Sequence, residues 1–177
     1  ILQFKYKLFI YIMNLSSTTK RILLDVKTIM KNPLEENGIY YCHNEDDIYN
    51  GKAMIIGPSD TPYFSGFYLF DILFPIDYPY SPPVITYCTQ GENIRWNPNL
   101  YTNGKVCLSL LNTWAGDPWT SVQTISSVLL TMSSILNKNP LLNEPYIKEG
   151  DEKITTYNHI ITFANIKIAY LGIYNKK

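Results

Sequence analysis

The sequence is poor in histidine and cysteine, carries no surplus of charge of either sign, and holds no long apolar run. Its histidines are His43 and His159 alone, so chemistry that needs an imidazole base has only those positions to draw on. Its cysteines, Cys42, Cys88 and Cys107, are odd in number and widely spaced. That argues against a disulfide framework and against a zinc knuckle, and it favours a reducing compartment, the cytoplasm with the nucleus beside it. Neither a metal nor a cofactor is expected. Lysine plus arginine number 15, as do aspartate plus glutamate, a balance that speaks against the basic face of a nucleic-acid binder. The N-terminal run from Leu8 to Met13 is far shorter than the roughly 18 residues that a membrane span requires. No small-residue cleavage site follows it. Nucleic acid and membrane are therefore not expected as partners.

What is present suits one folded domain. The chain has 177 residues, of which 14% are aromatic and 17% charged, a composition too rich in core-forming side chains for disorder and too short for two comfortable domains. It starts at Ile1, and its first methionine is Met13. Residues 1–17 are accordingly set aside as an N-terminal extension, non-native over residues 1–12 or disordered. Residues 18–177 form the domain.

Periodicity then divides the domain. From Thr19 to Lys31, Ile22, Val26, Ile29 and Met30 recur at helical spacing opposite Lys20, Lys27 and Lys31, and Asn32-Pro33 closes the helix. "GIYYCHN", "GKAMIIG", "GFYLFDILF" and "PPVITYCT" are predicted strands, the third placing Tyr68, Phe70, Ile72 and Phe74 on one side. Gly-Pro and Asp-Tyr-Pro punctuation between them favours an antiparallel meander. Thr120 with Gln123 makes a candidate capping box, followed by Val122, Ile125, Leu129, Met132 and Leu136 on one helical face up to Pro140. A last amphipathic helix carries Tyr157, Ile161, Ala164, Ile168 and Leu171. Helix, strands, helices: the class is α+β.

The stretch "NIRWNPNLYTNGKVCLSLLNTWAGDPW", Asn93 to Trp119, poses the functional question. Its single thiol, Cys107, lies between apolar neighbours, with no histidine, aspartate or glutamate before Asp117. On the residues alone, a small core residue is the ordinary reading of such a cysteine. A reactive reading stands beside it. Thiol exchange with an acyl thioester needs little activation, since the leaving group is itself a thiolate, whereas amide hydrolysis needs a base to take the thiol proton.

Longer motifs narrow the choice. Gly57, Pro58, Thr61, Pro62 and Tyr63 fit Gly-Pro-x-x-Thr-Pro-Tyr; Phe74, Pro75, Asp77, Tyr78, Pro79, Pro82 and Pro83 fit Phe-Pro-x-Asp-Tyr-Pro-x-x-Pro-Pro; Pro98-Asn99 precedes Cys107. In this order they resemble the core of the ubiquitin-conjugating enzymes over about residues 18–172. "NGKVCLSLL", "TW", "PW" and "NEP" look most like the class lettered Z.

That resemblance implies a fold and a set of roles. The fold would be an N-terminal helix, a four-stranded antiparallel meander, and central and C-terminal helices. Cys107 would take ubiquitin, or a ubiquitin-like protein, from an activating enzyme as a thioester and pass it to a lysine amine of a substrate protein or to a ligase cysteine. Asn99 would steady the oxyanion or its loop, though an asparagine beside proline is equally a turn residue. Lys20, Arg21 and Lys27 match a basic first helix that meets the activating enzyme, against the plainer reading of a solvated face. Phe74 and Ser121 fall at positions that face ligases, although a phenylalanine ending a strand is as readily core. Asn143 or Glu144 would position the acceptor lysine. The chain departs from the family at Asn97, where most members carry histidine, and at Ser121, where many carry proline.

Overall fold

The computed structural model describes residues 15–174. Most of the expected extension, residues 1–14, lies outside them. Ser16 accepts the Thr19 N–H at 3.0 Å, and helix α1 runs Ser17–Lys31, so the hydroxyl fills one of the orphan donors of the first turn. Ile22, Val26 and Ile29 enter the core as expected, but Met30 is 74% exposed. Consecutive helical residues point about 100° apart, and Ile29 takes the inward position.

Four strands follow: β1 (Ile39–His43), β2 (Asn50–Ile56), β3 (Phe67–Leu73) and β4 (Val84–Tyr87). They pair antiparallel in the order β1-β2-β3-β4. Register couples Ala53 with Phe70, Ile55 with Tyr68 and Ile72 with Ile85, so the apolar set of each strand falls on one face. Tyr63, Tyr68, Phe70, Tyr87 and Trp96 form an aromatic core beneath that face, with Tyr68 edge-on to both Tyr63 and Trp96.

Helix α2 covers Ile125–Ser134, with Thr124 as its cap. The Thr124 hydroxyl accepts the Ser127 N–H at 3.3 Å and the Ser127 hydroxyl accepts the Thr124 N–H at 3.0 Å. This corrects the expected box at Thr120 and Gln123. Those residues close a turn on themselves, Thr120 N–H to Gln123 Oε1 at 2.8 Å and Gln123 N–H to Thr120 O at 3.0 Å, leaving Val122 outside the helix and 83% exposed. The other positions of that face, Ile125, Leu129, Met132 and Leu136, are buried.

Helix α3 (Glu152–Ala164) passes into a π-helical turn, Asn165–Tyr170, and a short last helix, α4 (Leu171–Tyr174). Ile161 and Ala164 are buried as expected, but Ala169 is buried and Leu171 exposed. A π-turn adds a residue to the repeat and shifts every later position around the axis. The turn begins where Asn165 is drawn inward: its Oδ1 accepts from the Tyr68 hydroxyl at 2.7 Å and its Nδ2 donates to Phe64 O at 2.8 Å. Among the described residues no helix is long and apolar enough to cross a membrane.

Gly66 makes that inward turn of Asn165 possible. A Cβ there would lie 1.8 Å from Asn165 Oδ1 and 2.9 Å from the Tyr68 hydroxyl. Gly66→Ala is therefore predicted to expel the carboxamide and lower stability by about 1–3 kcal/mol, the range for leaving a buried polar group unsatisfied. Urea unfolding measures it; a loss under about 0.5 kcal/mol, as at ordinary surface sites, would show that Asn165 does not hold this corner.

Candidate active site around Cys107

After β4 the chain leaves regular structure. Tyr87 N–H donates to Gly104 O at 2.8 Å, and Thr86 bridges Lys105, which draws the segment carrying Cys107 along the edge of the sheet. Within it, side chains take over the work of a ladder. Asn97 is wholly buried and its carboxamide is used on both ends: Nδ2 donates to the Tyr63 hydroxyl at 2.9 Å and to Ile135 O at 2.8 Å, while Oδ1 accepts the Asn99 N–H at 2.9 Å. The Tyr63 hydroxyl donates onward to Trp96 O at 2.7 Å, and burial holds its pKa well above the usual phenol value. A neutral imidazole has one donor and one acceptor. The asparagine that departs from the family pattern supplies two donated bonds and one accepted bond at this place.

Asn99 and Cys107 are bonded to each other in both directions. Cys107 N–H donates to Asn99 O at 2.8 Å, and Asn99 Nδ2 donates to Cys107 O at 2.7 Å. Asn99 Oδ1 in turn accepts from Asn143 Nδ2 at 2.9 Å, brought there by the 3₁₀ turn Pro140–Asn143. The Asn143 bond fixes which end of the Asn99 carboxamide faces the cysteine. Glu144 turns elsewhere, to an ion pair with Arg95 at 3.2 Å. Arg95 is itself held by Pro98 O and by the Tyr101 ring, 4.3 Å from its guanidinium. Thr113, which sequence reasoning passed over, bonds to backbone groups on both sides of Cys107. Only the "TW" dipeptide hinted at it. Cys107 is 2% exposed; Cys42 and Cys88 are exposed free thiols.

The other expected site residues divide. Phe74 is 1% exposed and packs against Tyr78, ring centroids 5.0 Å apart. Its assignment as a ligase-facing residue is corrected: the inward alternation of β3 runs on past Leu73. Ile76 and Val122, each 83% exposed, stand out on the same two loops instead. Those loops are tied together by Trp119 Nε1, which donates to Pro79 O at 2.7 Å, and the first is tied to α1 by the Thr18 hydroxyl, which donates to Ile76 O at 2.8 Å. Ser121 is exposed. Its carbonyl accepts from Arg21 at 2.6 Å, and the same guanidinium donates to Gln123 O at 2.6 Å and to Asp25 at 3.0 Å. Arg21 is thus a strut between α1 and the loop before α2, not the side chain of a merely solvated face. Lys20 and Lys27 are exposed on α1.

Neither histidine is hydrogen-bonded into the site. His43, on β1, pairs through Nδ1 with the Tyr41 hydroxyl at 2.7 Å and lies by Phe74, while His159 is exposed on α3. Among the described residues no group of histidine, cysteine, aspartate and glutamate could hold a metal ion.

Comparison with known proteins gives a family model, "Ubiquitin-conjugating enzyme", that matches residues 21–162. Ubiquitin-conjugating enzyme E2 Z of Homo sapiens is 43% identical over 154 residues, covering 84% of this chain and 42% of that protein. The Xenopus tropicalis protein of the same name is 42% identical over 84% of this chain and 48% of its own length. The Homo sapiens dual E2 ubiquitin-conjugating enzyme/E3 ubiquitin-protein ligase BIRC6 is 38% identical over 89% of this chain, which is 4% of BIRC6. The chain spans less than half the length of these relatives.

His43, outside the site, gives the fold a testable pH response. Burial lowers its pKa from the ordinary imidazole value, offset in part by the Ile48 carbonyl and the Asp47 carboxylate. The folded state therefore binds this proton less readily than the unfolded state, and stability falls as pH drops below the unfolded value of about 6.5. Above that value the contribution is fully present. The urea midpoint of the native protein should fall between about pH 7.5 and 5.5 by more than that of His43→Gln; equal falls would remove His43 as the cause.

Proposed function

The chain belongs to the ubiquitin-conjugating enzyme family, and from that membership we propose that Cys107 accepts the C-terminal acyl group of ubiquitin or a ubiquitin-like protein from the thioester of an activating enzyme. The Cys107 thiolate attacks the thioester carbonyl, and the activating enzyme's cysteine leaves as thiolate. In the second step a lysine amine, or a ligase cysteine, attacks the new thioester and Cys107 is released. One observation carries this reading. Among the described residues, the groups hydrogen-bonded to Val106, Cys107 and Leu108 are a carboxamide, a hydroxyl and backbone, not an imidazole or carboxylate. Thioester exchange tolerates that environment, whereas hydrolysis of an amide by a cysteine does not.

Asn99 supplies the polar support. At rest its Nδ2 is spent on Cys107 O, so donation to an oxyanion requires the amide to share or exchange that bond, with Asn143 keeping its orientation. Asn143 is then the better placed of the two residues for ordering the acceptor side, because Glu144 is held by Arg95. Lys20 and Lys27 on α1 are the surface offered to the activating enzyme. Ser121, with Ile76 and Val122 beside it, is the edge offered to ligases. Residues 18–177 serve as the conjugating core, working in cytoplasm and nucleus on protein substrates.

A first test incubates the protein with ATP, activating enzymes and tagged modifiers and separates the products on a non-reducing gel. Wild type should give a thiol-labile adduct, Cys107→Ala none, and Cys107→Ser a thiol-resistant ester, because a hydroxyl forms the less reactive acyl bond. Replacing Cys42 and Cys88 together should leave loading intact. An adduct retained in Cys107→Ala, or lost only with Cys88, would remove the assignment. No adduct in the wild type would favour a modifier-binding protein without transfer chemistry.

Asn99 should behave asymmetrically. Loading is predicted to survive Asn99→Ala, while single-turnover discharge onto free lysine falls by roughly 10²-fold, the usual loss with an oxyanion donor. Equal losses in the two steps would make Asn99 a holder of the loop alone.

A further inference from the structure

We infer that Thr113 is a positioning residue for acyl transfer, its hydroxyl bracing the backbone on both sides of Cys107; the inference rests on the thioester reading above. The Leu108 N–H donates to Thr113 Oγ1 at 2.9 Å, and the same hydroxyl donates to Val106 O at 2.8 Å. Leu108 O, at 3.1 Å, competes for that one hydrogen. It already accepts from the Leu111 and Thr113 N–H groups, so Val106 O is the acceptor in need. One side-chain atom therefore spans from the residue before the nucleophile to the residue after it.

The chain is shaped to deliver this hydroxyl. After Cys107 it makes the 3₁₀ turn Ser109–Leu111, anchored by the buried Leu111, and reverses at Asn112 in the left-handed region with φ 56°. The Asn112 side chain accepts the Trp119 N–H at 2.9 Å, which pins the far end of the loop. Thr113 thereby returns against the segment it left.

Two braces then act on different peptide groups. Asn99 engages the N–H and C=O of Cys107 itself, and Thr113 engages Val106 O and Leu108 N–H. With both in place, the reacting sulfur moves chiefly by rotation about χ1. A nucleophile with fixed backbone keeps its acyl carbon where an amine can reach it, and displacements of about 1 Å cost large factors in rate. Packing alone would not need the hydroxyl, since valine fills the same volume.

The test uses the full chain with Thr113→Val and Thr113→Ser. Thioester discharge is followed over a range of lysine concentrations, beside loading and thermal unfolding. Thr113→Val is expected to lower the maximal discharge rate roughly tenfold with the half-saturating lysine concentration unchanged, the mark of lost alignment rather than lost binding. Loading should stay within about twofold, because thioester exchange demands less of the nucleophile. Thr113→Ser, which keeps the oxygen, should restore discharge. Wild-type discharge in Thr113→Val overturns the inference, as does a Thr113→Ser variant as slow as the valine one, which would assign the effect to the methyl group. If the valine variant does not fold, Thr113→Ala compared with Thr113→Ser gives the same contrast. Failure of the wild type to form any adduct would instead bring down the thioester reading and this inference with it.

Discussion

Backbone groups taken out of water must find partners, and between Asn93 and Trp119 there is no strand or long helix to provide them. Short polar side chains meet that demand. Asn97 and Asn99 serve the turn before Cys107, Asn103 accepts the Lys105 N–H at 3.0 Å, and Asn112 and Thr113 close the loop beyond it. The abundance of asparagine in this stretch follows from the constraint, because a carboxamide offers donor and acceptor together on a short stem. Of these, the bonds of Asn99 and Thr113 bracket the peptide of Cys107.

The scaffold around the site is joined in the same economical way. Arg21 reaches across from α1 to the carbonyls of Ser121 and Gln123, Thr18 reaches Ile76 O, and Asp25 accepts the Tyr78 hydroxyl as well as the arginine. The Arg21 guanidinium also lies 5.5 Å over the Tyr78 ring. Asp25 is buried with both donors in place, the Arg21 guanidinium on one oxygen and the Tyr78 hydroxyl on the other; removing either would leave a buried carboxylate short of a donor. One helix end thus fixes two loops that the sequence separates widely.

Much of the fold was legible in the sequence because its signals are local. Alternation in "GFYLFDILF" set the inward face of β3, and the spacing of Ile22, Val26 and Ile29 set the buried face of α1. What escaped depends on partners distant along the chain. Arg21 looked like one more surface cation until its acceptors at Ser121 and Gln123 were in place. The π-turn at Asn165 answers to Tyr68 and Phe64, which no periodicity near Asn165 records. Thr120 and Gln123 had the right letters for a helix start, but they bond to each other in a turn and leave the cap to Thr124. At the site, the resemblance located Cys107 and Asn99, whereas the brace from Thr113 and the choice between Asn143 and Glu144 needed three dimensions.

Asn97 has a consequence beyond the bonds it makes. A histidine in its place would change charge near neutrality, and the shape of the loop would then respond to the acidity of its surroundings. A carboxamide does not titrate. The hydroxyl it meets, on Tyr63, is kept neutral by burial, and its other partners are the main chain of Ile135 and Asn99. The hydrogen bonds that Asn97 makes beneath the thiol's loop consequently do not respond to proton concentration.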